Sequence, residues 1–108
     1  MPRFAPHPDR RPAVVTGASS GIGRAAAVAL AQAGHPVALG ARRVERCVEV
    51  AREICDAGGE AVAIGVDMCD TASVVAFAAQ ATAALGPIEV VVSNAGEVQP
   101  LGVATADP

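Results

Sequence analysis

The residues best placed for chemistry lie in the run Thr16-Gly17-Ala18-Ser19-Ser20-Gly21-Ile22-Gly23. Its three glycines follow the apolar stretch Ala13-Val14-Val15 and precede Arg24 to Ala33, a run dominated by helix-forming alanine. Gly17 lets the chain leave a strand sharply, in backbone conformations costly for other residues. Gly21 removes a Cβ from the path of a ligand approaching the backbone, and Gly23 lets the new helix pack closely on the sheet. The N–H groups of a helix's first turn, at the positive end of its dipole, favour phosphate. The spacing is Gly-x-x-x-Gly-x-Gly, not G-x-G-x-x-G. Arg24 stands after the last glycine and no G-K-[ST] occurs, so a P-loop is excluded. Taken alone, the run could also be an ordinary glycine-rich turn.

Three further segments follow apolar runs. The first is Gly40-Ala41-Arg42-Arg43. Dinucleotide folds that bind NAD place an acid roughly 20 residues past the glycines, to bond the ribose 2′-OH. Ala41 occupies that position here, and the first acid beyond it is Glu45. Arginine forks suit a phosphate, and no carboxylate repels one. The pattern therefore favours NADP over NAD, against the plainer reading that two arginines open a solvated helix. The second segment is Asp67-Met68, where the acid could simply turn the chain. The third is Ser93-Asn94-Ala95-Gly96, by itself a common turn sequence.

The elements that position these segments alternate. Strands are expected at Ala13 to Thr16, Val37 to Gly40, Ala61 to Val66 and Ile88 to Val92. Helices are expected over Gly21 to Ala33, Arg42 to Asp56 and from Asp70 or Thr71 to Leu85, stopped by Gly34, Gly58-Gly59 and Gly86-Pro87. Val44, Cys47, Val48, Ala51, Ile54 and Cys55 form one helical stripe, opposite Arg42, Arg46, Glu49, Arg52, Glu53 and Asp56. On the third helix Val74, Phe77, Ala78, Ala81 and Leu85 share a face. Apolar strands separated by helices predict an α/β, Rossmann-type parallel sheet with helices on both faces. Right-handed crossovers leave few topologies, and strand order 3-2-1-4 is expected, with the glycine turn at the switch point between the first and fourth strands. The sheet is expected to be incomplete, without the later strands of the full fold. Met1 to Arg11 reads as a flexible N-terminal tail, with one truncated NAD(P)-binding domain over 12–108.

Thr16-Gly17-Ala18-Ser19-Ser20-Gly21-Ile22-Gly23 and the later Asn94-Ala95-Gly96 together resemble the short-chain dehydrogenase/reductase family, from Pro12 to Gly96. The resemblance implies an oxidoreductase that moves a hydride between nicotinamide and an alcohol/carbonyl pair. It implies that Ser19, Ser20 and the backbone at Ile22 face the cofactor phosphates, and that Asp67 accepts a bond from the adenine amino group. Met68 would line the adenine. Asn94, Ala95 and Gly96 would let the backbone pass the adenosine ribose, with Thr16 bracing that loop. Ser93 replaces the family's first Asn, and is not the family's catalytic Ser.

That family acts through a Ser and a Tyr-x-x-x-Lys pair, whose Lys lowers the Tyr pKa from its usual value near 10. The chain contains no Tyr, and all eight of its basic residues are Arg. Its last apolar strand would form an open edge, and Asp107-Pro108 looks like the start of another helix. These features read as a truncated oxidoreductase: its adenosine-phosphate-binding half, without catalytic residues. The alternatives are a non-catalytic NADP-binding or interaction module and a non-functional fragment. A full-length parent would be a homo-oligomer by resemblance. The net charge of −3 and the lack of basic, aromatic-laced patches argue against nucleic acid. There is no membrane-length apolar run and no signal-peptide core. Cys47, Cys55 and Cys69 form no metal motif, and Cys47 and Cys55 are expected on the buried face of one helix, too far apart to bridge. Free thiols point to the cytoplasm. His7 and His35 have no partners at catalytic spacing.

Overall fold

The computed structural model describes residues 11–18 and 21–93. Seven elements alternate within them: β1 (Ala13–Thr16), α1 (Gly21–Gln32), β2 (Val37–Ala41), α2 (Val44–Asp56), β3 (Ala61–Gly65), α3 (Thr71–Leu85) and β4 (Val90–Ser93). The strands form one parallel sheet in the expected order β3-β2-β1-β4. In register, Thr16 lies beside Gly40 on one side and Ser93 on the other, so the ends of the three strands sit level.

Successive strand residues feed opposite faces. Val15, Val37, Leu39 and Ala41 join Ala27 and Ala31 of α1 and Cys47, Val50, Ala51 and Ile54 of α2 in one core. Val14, Ala38, Ile64 and Val66 join Phe77, Ala81 and Leu85 of α3 in the other. β1 and β2 are wholly buried, whereas β3 and β4 are half-covered edges. Val91 shows the consequence, an apolar side chain 68% exposed on an edge strand.

The stripe on α2 differs from the expected one. Cys47, Val50, Ala51 and Ile54 are buried, while Val48 and Cys55 are exposed. The helix is rotated so that Val50 enters the cluster containing Ala27 and Ala31, and Cys55 turns out of it. Its thiol reaches the Ala61 carbonyl oxygen at 3.7 Å. On α3, Ala78 is likewise exposed. Element ends shift by one or two residues. β2 continues through Ala41, whose carbonyl accepts the Val66 N–H at 3.0 Å, and α2 begins only after Arg43, which is not helical (φ −96°, ψ 84°). β4 starts at Val90, where Glu89 and Val90 N–H groups both donate to the Pro12 carbonyl. α1 stops as expected at Gly34, at φ 98°, where the Gly34 and His35 N–H groups close onto the Ala31 and Leu30 carbonyls. Of the two candidate caps for α3, Asp70 takes the role, accepting the Ala72 N–H at 3.0 Å.

Candidate functional site

The glycine turn leaves β1 in a left-handed conformation at Gly17, φ 69°, and half-buries it. Ala18 is fully buried and its N–H donates to the Gly40 carbonyl at 3.2 Å, which fastens the turn to the end of β2. A methyl group added at Gly23 would lie 2.2 Å from the Gly17 carbonyl oxygen and 2.9 Å from the Ala18 Cα. The close packing that Gly23 permits is thus against the turn's own backbone rather than against the sheet. At Gly21 the same methyl would meet nothing within 4 Å, so the first residue of α1 faces open space. Ile22 is 77% exposed beside it. The N–H groups of Gly21 and Ile22 are not used by the helix's own ladder. Open space, two such N–H groups and a helix's positive end form a cradle that fits a dinucleotide's pyrophosphate. Ser19 and Ser20 lie outside the described residues.

β2 brings its end to the same edge. Ala41 is 7% exposed and belongs to the core, so Arg42 is the first exposed side chain past the strand, followed by Arg43. Both arginines stand in the connection before α2, and Glu45 falls inside its first turn. Arg43 occupies the cap position but makes no side-chain cap bond. Its place is therefore not explained by helix capping.

Asp67 follows β3. Its Oδ1 accepts the Cys69 N–H at 3.0 Å, its own N–H donates to Ser73 Oγ at 2.9 Å, and its carbonyl accepts the Asp70 N–H. Asp67 thus organises its own turn, the plainer of the two roles open to it. Ser73, which braces that turn from α3, was not marked by any motif. Met68 is 40% exposed beside Asp67. Thr16 is buried, 4% exposed, at the end of β1 and in register with Ser93. Asn94, Ala95 and Gly96 lie outside the described residues. The structure therefore brings Gly17, Gly21, Ile22, Gly23, Arg42, Arg43, Asp67 and Met68 to the carboxyl ends of β1, β2 and β3.

A feature without a sequence signature supports this edge. A methyl at Gly40 would meet Phe77 Cε1 at 2.7 Å and Val66 Cγ1 at 3.0 Å. The ring of Phe77 fills the place that a larger side chain at 40 would take, at the residue whose carbonyl holds Ala18.

The family model described as short chain dehydrogenase matches residues 11–107. The chain belongs to the short-chain dehydrogenase/reductase family. It is 44% identical over 90 residues to cis-4-hydroxycyclohexanecarboxylate dehydrogenase of Sinomonas cyclohexanicum, covering 83% of this chain and 36% of that enzyme. A hydroxysteroid dehydrogenase structure from Escherichia coli superposes with a TM-score of 0.77 at 28% identity, over 94% of this chain and 43% of the other. A metagenomic short-chain oxidoreductase solved in complex with NADP gives 0.71 at 46% identity, over 75% and 37%. The chain spans no more than about a third of the length of the curated relatives it matches. Members of the short-chain dehydrogenase/reductase family bind a nicotinamide dinucleotide, and open parallel sheets of this kind take ligands outside the carboxyl ends of their strands.

Proposed function

We propose that this chain binds the adenosine-phosphate end of NADP as part of a short-chain oxidoreductase acting on an alcohol/carbonyl pair. The observation that carries the preference for NADP is the exposed Arg42-Arg43 pair at the end of β2, with no carboxylate before Glu45. Two guanidinium groups would hold the 2′-phosphate in charge-assisted bonds, whereas a 2′-hydroxyl would find no acceptor. The NADP bound to the metagenomic relative supports the same choice. The glycine turn would hold the pyrophosphate on the Gly21 and Ile22 amides, together with Ser19 and Ser20. Asp67 and Met68 would flank the adenine, and Asn94, Ala95 and Gly96 the ribose.

NADP, when bound, supplies or accepts the hydride. The chain's own residues bind and orient it. With neither Tyr nor Lys among its 108 residues, this stretch carries no counterpart of the family's proton-transferring pair. We place the protein in the cytoplasm, where its free thiols stay reduced, and the whole oxidoreductase in a homo-oligomer.

Calorimetry of the Arg42→Ala and Arg43→Ala variants tests the assignment. Loss of a charge-assisted bond worth roughly 1.5–3 kcal/mol should weaken NADP at least tenfold and leave NAD nearly unchanged. Equal losses for both cofactors would contradict it.

A further inference from the structure

Arg24 stands directly after the last glycine, where a cation invites assignment as a phosphate ligand. The structure gives it another partner. Its guanidinium Nη2 donates to Oε1 of Glu53 on α2, and both side chains are about half exposed. The pair joins the two helices that share one face of the sheet. Each helix carries one end of the cofactor site. α1 opens at the glycine turn, with Gly23 jammed against Gly17, and α2 opens just after Arg42 and Arg43. Both helices enter the same core, α1 through Ala27 and Ala31 and α2 through Cys47, Val50, Ala51 and Ile54, so a shift of one against the other moves the two ends of the site together or apart.

From this juxtaposition we propose that Arg24 and Glu53 form a positioning pair that sets the distance between the glycine turn and the 2′-phosphate arginines. Arg24 then discriminates between cofactors without touching either. The inference rests on the assignment of Arg42 and Arg43 made above. Both cofactors would share the glycine turn and the adenosine contacts, and only NADP would add the grip of Arg42 and Arg43 on its 2′-phosphate. Loosening the pair should therefore cost NADP more than NAD. A phosphate ligand at Arg24 would instead weaken both cofactors alike, and a purely structural tie would change stability and leave their ratio alone.

The test uses the whole chain and reads dissociation constants for NADP and NAD by calorimetry, beside a denaturant melt of each protein. The variants are Arg24→Gln, Glu53→Gln and the exchanged pair Arg24→Glu with Glu53→Arg. Exposed ion pairs contribute 0.2–1 kcal/mol, so each single variant should lower the NADP/NAD preference by roughly 1.5- to fivefold. The exchanged pair should restore it. An unchanged ratio in both single variants would overturn the proposal, as would equal weakening of both cofactors in Arg24→Gln alone. Single variants that fail to fold would also overturn it, because the pair would then be a stability element. An unsubstituted chain that shows no preference for NADP would instead overturn the reading of Arg42 and Arg43, and this inference with it.

Discussion

One added methyl group separates two of the three glycines of the turn, Gly21 and Gly23. At Gly23 it would sit 2.2 Å from a backbone oxygen that has nowhere to go, and at Gly21 it would sit in open space. Gly23→Ala should therefore lose roughly 1–3 kcal/mol of stability in a denaturant melt, the usual cost of overpacking. Gly21→Ala should melt like the unsubstituted chain while binding cofactor less tightly, since only a ligand would meet its methyl. Cys47 gives a pH-dependent counterpart. Burial raises its thiol pKa above the ordinary range, by removing the thiolate from water. The folded state then holds the proton more tightly than the unfolded chain does. The stability this contributes is complete below the ordinary thiol pKa of about 8.5 and falls as pH rises through the folded value. Melts between pH 7 and 10 should show that decline, and Cys47→Ala should flatten it. The arginine test also belongs here. An acid placed at Ala41 would enter the core, so replacing Arg42 and Arg43 separates cofactor preference from folding more cleanly.

Elements were legible where glycine and periodicity spoke together. Gly34 ends α1 in the left-handed region, Gly86 ends α3, and Asp70 caps α3 through the Ala72 N–H. Asp70→Ala should cost about 0.5–2 kcal/mol in a thermal or denaturant melt, with the sheet intact, and no change would mean the cap is dispensable. The stripe on α2 was less legible. Val48 and Val50 are equally apolar, and only the neighbouring α1 decides which is buried. Cys55 fits the helical period but falls past the point where the cluster closes. Cooperation between distant segments was hidden too. Gly40 makes room for Phe77, 37 positions later, and its carbonyl fastens Ala18. No local pattern marks a residue whose importance lies in being absent from a neighbour's space.

At the scale of the molecule, alternation and right-handed crossovers leave few strand orders, and the one expected with the glycine turn at the switch point, 3-2-1-4, is the one formed. Parallel pairing carries the carboxyl ends of all four strands to one edge, and the candidate site lies there on segments up to about 50 residues apart. Family membership then follows from the match over residues 11–107, while the proposed preference for NADP rests on two arginines. Among the described residues no helix is long and apolar enough to cross a membrane, and no cluster of His, Cys, Asp or Glu could hold a metal. The proposed NADP site lies at this sheet edge. Calorimetric titration of the 108-residue chain with NADP and NAD at equal ionic strength tests it most directly. The account predicts NADP binding at least tenfold tighter than NAD, a margin that narrows as salt screens the arginines. Equal affinities, or tighter binding of NAD, would contradict it.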